Sequence, residues 1–248
     1  MSVLLIAEHN NKELKPFTLN AATAASQIDS DVHAVIIGQN CGDAAKALSE
    51  LPLVKKVMGV NEVNIEIDHG DAAMMLYIQD EEASLQARAH SALFSHLVGP
   101  SYFSSLRTEQ QLGYVVSALN PVFYEWGGVG FLIQSPVAGP RELREQTRFF
   151  LDGQVERFEA MSEEVFNANK AGLIAQLLQK DKNLGQRAQR YWSELDRGIT
   201  SFDAKRQKAD RIGSLNKLDM ISYLNRIRSL FDSDYLFIFS EGRFGEQG

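Results

Sequence analysis

Cysteine is almost absent: Cys41 is the only one in 248 residues, so no intrachain disulfide framework can exist. Histidine is scarce as well. The five, His9, His33, His69, His90 and His96, form no H-x-x-E-H arrangement, which would set two imidazoles on one helix face with a glutamate beside a metal-bound water. His90 and His96 are six residues apart, about 600° around a helix, so they lie on different sides and read as partly buried structural residues. No G-x-S-x-G elbow occurs, and Cys41 has no histidine near it in sequence. The acidic pairs Glu81-Glu82 and Glu163-Glu164 read as solvated helix starts rather than as a general acid–base pair. Basic charge is in deficit: the formal net charge is −7, which argues against a nucleic-acid partner. Long apolar runs are missing too. No stretch approaches the roughly 20 apolar residues of a membrane span. The run Val3 to Ala7 is too short for a signal-peptide core and has no basic residues before it. A cytoplasmic protein without a membrane partner is expected. Nothing here supplies a complete catalytic centre.

What is present is an ordinary globular composition, 44% hydrophobic and 23% charged, in a chain long enough for one large domain or two small ones. Val3 to Ala7 reads as a buried strand. Phe17 to Ile28 is an alanine-rich helix with Pro16 near its start. Val32 to Ile37 is a second strand, Asp43 to Leu51 a second helix and Val54 to Val57 a third strand. That β-α-β-α-β order implies a parallel sheet with right-handed crossovers. Gly38-Gln39-Asn40-Cys41-Gly42 lies where phosphate loops occur, but it lacks the G-x-G-x-x-G spacing and any Lys-Ser/Thr pair. A plain strand–helix turn is the expectation.

From Val63 the pattern changes. Val63, Ile65 and Ile67 alternate with polar residues, predicting a half-buried strand. A polar turn at His69-Gly70-Asp71 follows, then a second strand from Ala73 to Gln79, expected to run antiparallel to the first. Leu85 to Val98 has helical spacing. Tyr114 to Leu119 and Val129 to Ser135 form a strand pair across the loop Asn120 to Gly128, in which Gly127-Gly128 gives freedom and Trp126 covers apolar surface. Helices then dominate: Pro140 to about Glu159, one capped by Ser162, Leu184 to Leu195, Phe202 to Ile212, and Lys217 to Leu230 with an Asn216/Asp219 capping box. Tyr235 to Ser240 is a closing strand. The fold class is therefore α+β, a layer of helices on a mainly antiparallel sheet, preceded by a small α/β segment with a parallel sheet. The expected boundaries are 1–60 and 61–248, with the seam near Met58 to Glu62.

One stretch concentrates side chains that bind. In Leu106 to Val116, LRTEQQLGYVV, an arginine is followed seven residues later by a tyrosine, with a glycine between them. Pro100 predicts a short helix from about Ser101 to Gln110, with Tyr102, Phe103 and Leu106 on its apolar side and Gly113 as its stop. Arg107 at the helix end and Tyr114 at the strand start then face one space and offer two donors to a carbonyl oxygen. On residue types alone, the plainer reading is a helix-end arginine and a half-buried strand tyrosine.

LRTEQQLGYVV, followed by GVGFLIQSP at Gly128 to Pro136 and flanked by Tyr102-Phe103 and Tyr191-Trp192, closely resembles the C-terminal, non-zinc half of pitrilysin- and insulysin-type inverzincin metallopeptidases. The resemblance runs from roughly Val63 to Phe239. It implies a pitrilysin-like fold, and it carries to Arg107 and Tyr114 contacts with the substrate backbone that help polarise the scissile carbonyl, and to Phe103 the lining of a side-chain pocket. Zinc and the base belong to the other half in that family, so zinc is expected only on a partner. Three functions are weighed: a non-catalytic peptidase-derived domain binding extended peptide or a complementary zinc-bearing half; a subunit of a zinc endopeptidase completed in trans; and an electron-transfer or docking module. The last rests on MSVLLIAEHNNKELKPFTLNAA, which resembles the amino terminus of the electron transfer flavoprotein alpha subunit over about Met1 to Val57. No flavin is expected, because that family holds it mainly through a carboxyl-terminal domain unlike anything that follows here. So short a segment is marginal alone, and its exposed strand edges imply docking onto the second part or onto another copy of the chain.

Overall fold

The structure, a computed structural model, describes residues 3–10, 12–37, 41–123, 125–196 and 199–247. The chain forms two compact units: Met1–Ile65 with Asp234–Phe239, and Glu66–Ser233 with Ser240–Gly248.

The first unit runs β1 (Val3–Ala7), α1 (Pro16–Ile28), β2 (Val32–Ile37), α2 (Gly42–Ser49), β3 (Val54–Val60) and β4 (Glu62–Asn64). Strands β1, β2 and β3 make a parallel sheet in that order. Pro16 stands at the first turn of α1, where its missing N–H costs nothing. Ala22 and Ala25 of α1 and Ala44 and Leu48 of α2 meet Leu5, Ala7, Val32, Ala34 and Ile36 in one buried cluster that includes Cys41. Burial pushes the Cys41 thiol pKa up, away from nucleophilic use. The apolar run at Val3 predicts a strand buried throughout. Instead Leu4 and Ile6 are exposed while Leu5 and Ala7 are buried, because both helices pack on one face of the sheet. The 38–40 part of the expected strand–helix turn lies outside the described residues.

The alternation at Val63, Ile65 and Ile67 is realised only in the short β4. Ile65 and Ile67 are exposed. Strand β4 does not fold back as a hairpin but pairs in parallel with the last strand of the chain, Leu236–Ser240, setting Glu62 opposite Phe237 and Asn64 opposite Phe239. Tyr235 Oη donates to Glu62 Oε1 at 2.9 Å beside that pair.

The second unit runs β5 (Ala72–Gln79), α3 (Leu85–Phe103), β6 (Val115–Leu119), β7 (Gly128–Ser135), α4 (Pro140–Ala160), α5 (Glu163–Leu177), α6 (Leu184–Asp196), α7 (Ala204–Ser214) and α8 (Lys217–Leu230). Strand β7 lies between β5 and β6 and is antiparallel to both, with Leu76 opposite Phe131 and Val116 opposite Ile133. Helix α3 packs on β6 and β7, and α4 on β5. This is an α+β layer of helices on an antiparallel sheet, with a parallel-sheet segment ahead of it.

The core of the second unit is aromatic. The Tyr102 ring meets Phe131 at 5.2 Å and Phe150 at 5.0 Å, and Phe94 meets Tyr223 at 5.3 Å. Each large side chain buried here contributes about 1.5–3 kcal/mol. The caps read from sequence are in place. Ser162 Oγ accepts the Val165 N–H at 3.3 Å, and Asn216 and Asp219 exchange both bonds of a capping box. Gly127 and Gly128 serve close approach rather than freedom: a Cβ on Gly127 would lie 2.6 Å from Asp80 Oδ2, and one on Gly128 2.5 Å from the Ile78 carbonyl oxygen.

Candidate functional site

Pro100 does not open a new helix. Helix α3 continues through it to Phe103 and then widens into a π-helical turn, Ser104–Glu109. The Gln110 N–H reaches back five residues to the Ser105 carbonyl at 2.9 Å, and the Leu112 N–H reaches Leu106 at 2.9 Å. Such π segments recur at functional sites. Beneath the turn, Tyr102 and Leu106 are fully buried. Thr147 Oγ1 donates to the Leu143 carbonyl at 2.9 Å, which makes Tyr102 Oη the donor in its 2.9 Å bond to Thr147. Burial raises the Tyr102 phenol pKa far above its ordinary value.

Gly113 does not stop the helix either. Gln111 takes the left-handed turn, at φ 55°, a conformation that costs a non-glycine residue of order 1–2 kcal/mol. Gly113 instead lies against β7, where an added Cβ would stand 2.3 Å from the Gln134 carbonyl oxygen. That contact admits only glycine. It also sets Tyr114, whose N–H donates to the same oxygen at 3.2 Å.

The turn and the crossing bring the predicted residues together. Arg107 Nη1 donates to the Tyr114 backbone carbonyl at 2.8 Å. The Arg107 guanidinium lies over the Phe103 ring, 5.0 Å from its centroid. Phe103 is not on the apolar side of the helix: it is 41% exposed, and Tyr114 is 46% exposed. Phe103 offers an exposed platform and Arg107 a cation stacked on it, and Tyr114, tied to Arg107 through its backbone carbonyl, adds an exposed phenol. A groove of about 630 Å³ runs along the same π turn, lined by Ser104, Ser105, Glu109 and, from α4, Phe149 and Gln154.

A fourth residue completes the cluster. Tyr114 Oη donates to Asp71 Oδ2 at 2.8 Å. This bond raises the Tyr114 phenol pKa, since the carboxylate favours the protonated phenol. Asp71 closes the polar turn expected at His69-Gly70-Asp71: its N–H donates to His69 Nδ1 at 3.0 Å, and the His69 N–H donates to the Ile67 carbonyl at 2.8 Å. Sequence separates Asp71 from Tyr114 by 43 residues. Only the pairing of β5 and β6 on either side of β7 brings them near, and no local spacing could have signalled it.

His90 and His96 have other partners or surroundings. His90 Nδ1 is 2.9 Å from the Gln86 carbonyl oxygen, and its ring stacks on Tyr223 at 5.9 Å. Burial lowers the His96 pKa. Among the described residues, no three His, Cys, Asp or Glu side chains stand close enough to hold a metal ion.

Comparisons with known proteins bear on the same stretch. Residues 93–192 match the family model described as PQQ synthase PqqF-like, C-terminal lobe domain 4. A nardilysin-like protein of Arabidopsis thaliana is 31% identical over 170 residues, 68% of this chain and 17% of that protein. Protease 3 of Escherichia coli (strain K12) is 34% identical over 117 residues, 47% of this chain and 12% of that protein. The crystal structure of pitrilysin superposes with a TM-score of 0.66 at 25% identity, over 75% of this chain and 20% of that one. The chain carries a pitrilysin/insulinase-like peptidase-family domain. It resembles the C-terminal half of those peptidases and spans about a sixth or less of the length of the curated relatives it matches. A protease from Helicobacter pylori shares the fold, with a TM-score of 0.59 at 13% identity. Residues 3–75 match the electron transfer flavoprotein domain model, which extends that resemblance well beyond Val57. Among the described residues, no helix of the peptidase-family domain or of the first unit is long and apolar enough to cross a membrane.

Proposed function

We propose that the peptidase-like domain is a peptide-binding surface without a catalytic centre of its own, and that Arg107, Tyr114 and Phe103 are its contacts with an extended peptide. The observation that carries this reading is that three exposed residues are tied together where the π turn meets the sheet, with Arg107 held by the Tyr114 carbonyl and stacked on Phe103. An arginine has five N–H donors. One is spent on Tyr114, and the remainder suit the carbonyl oxygens of a peptide backbone. Phe103 offers an exposed ring to an apolar side chain of the same peptide. In this reading the chain needs neither zinc nor flavin to bind.

A second reading places the same surface beside a zinc-bearing half, where donors aimed at a developing oxyanion are worth about 10²–10³ in rate. It is supported by the length of the relatives, in each of which the matched stretch is a small fraction. Metal analysis and an internally quenched peptide test whether the chain has a catalytic centre of its own. The purified chain is expected to carry no stoichiometric zinc and to leave the peptide intact, and to bind it with an affinity that Arg107→Ala lowers about five- to thirty-fold, the worth of one or two charge-assisted bonds at a surface. Chelator-sensitive cleavage by the chain alone contradicts the non-catalytic reading. Unchanged affinity in Arg107→Ala contradicts the site.

A further inference from the structure

The Tyr114 hydroxyl has one proton, and the structure shows where it goes. A phenol donates a single hydrogen bond and accepts through its lone pairs. With the proton given to Asp71 Oδ2 at 2.8 Å, the exposed side of the oxygen carries lone pairs only. Asp71 is itself fixed. Its N–H is tied to His69 Nδ1 and the His69 N–H to Ile67, and its side chain is 20% exposed against 55% for His69. Accepting the Asp71 N–H leaves His69 Nδ1 unprotonated, so the ring offers no competing proton to the carboxylate 4.0 Å away. Arg107, by contrast, is a donor without any acceptor capacity.

Building on the peptide-binding reading, we propose that Asp71 is a positioning residue that turns the Tyr114 hydroxyl into a hydrogen-bond acceptor, so that the surface meets a peptide backbone with a donor at Arg107 and an acceptor at Tyr114. An extended peptide presents both C=O and N–H groups along its edge. Two donors would satisfy only its carbonyls, whereas a donor and an acceptor read both kinds of group and favour one chain direction. The surface thus recognises an unblocked backbone N–H, and a peptide lacking that N–H loses one bond.

The test uses the whole chain and two readouts. The first is the phenol titration of Tyr114, taken as the ultraviolet difference between the wild-type chain and Tyr114→Phe, and repeated in the Asp71→Ala background. Tyr114 is expected to titrate above the ordinary phenol value of 10.0 in the wild-type chain and to return to it in Asp71→Ala. An identical titration in both backgrounds overturns the proposal. The second is binding of a blocked, unstructured ten-residue peptide and of a series in which each backbone N–H in turn is methylated. One methylated position is expected to weaken wild-type binding about five- to ten-fold, one hydrogen bond's worth. That penalty should fall to within about twofold in Asp71→Ala and in Tyr114→Phe, the spread of a bond no longer made. A penalty that persists in Asp71→Ala overturns the proposal while leaving the peptide-binding reading intact. Failure of the parent peptide to bind the wild-type chain refutes that reading, and the proposal falls with it.

Discussion

Gly113→Ala is the substitution on which the geometry of the site bears most sharply. A Cβ built there stands 2.3 Å from the Gln134 carbonyl oxygen, 3.1 Å from Ile133 Cγ2 and 3.2 Å from the Gln134 carbonyl carbon. Two of these three atoms are backbone in the middle strand of the antiparallel sheet, so no rotamer change relieves the clash. The segment must lift from β7 by roughly 1 Å to restore an ordinary contact, and the 3.2 Å bond from the Tyr114 N–H to Gln134 goes with it. Losing that bond costs about 1 kcal/mol, and the displacement about 1–3 kcal/mol more. The alanine narrows the unfolded ensemble and returns about 0.4–1 kcal/mol. A net destabilisation of about 1–3 kcal/mol follows. Both tryptophans, Trp126 and Trp192, belong to the peptidase-like unit, so urea unfolding followed by tryptophan fluorescence reports on that unit. Tyr114 moves with the segment, so the variant should also lose peptide affinity. A midpoint within about 0.3 kcal/mol of wild type would refute the reasoning, because a contact of 2.3 Å onto backbone cannot be absorbed at so small a cost.

Two further outcomes test the frame around the site. Asn216→Ala removes one side of the capping box of α8 and should cost about 1 kcal/mol in the same urea assay, with Asn216→Asp close to neutral. Arg190 holds the Asp181 carboxylate below its ordinary pKa of 3.8 through hydrogen bonds at 2.8–3.3 Å. An aspartate with a depressed folded pKa stabilises above its unfolded value and loses that contribution as pH falls through the folded one. The packing of α6 should therefore hold at pH 5 and above, and loosen below the ordinary 3.8. Trp192 fluorescence checks this, and Asp181→Asn should abolish the acid dependence.

The elements were legible wherever local chemistry decides them. Pro140, Ser162 and Asn216 mark helix starts because prolines and caps act within one turn, and β5, β6 and β7 show in their apolar spacing. The misreadings share a cause. Pro100 looks like a helix start, yet packing of Tyr102 and Leu106 in the core carries α3 past it into the π turn. Gly113 looks like a helix stop, yet its reason is a backbone 21 residues away, at Gln134. Ile65 and Ile67 look like half of a hairpin, yet the strand they follow pairs with the end of the chain. Of the site, Arg107, Tyr114 and Phe103 were visible through their spacing and their resemblance to a known peptidase half. Asp71 was not, because its role exists only after the sheet has formed.

Titration of a blocked, unstructured peptide into the purified chain, and into the Arg107→Ala, Tyr114→Phe double variant, tests the central claim most directly. The account predicts saturable binding by the wild-type chain, with the peptide recovered intact, and a loss in the double variant of at least about tenfold, the worth of the two polar contacts. Equal affinity for the two proteins, or no binding to either, would contradict it.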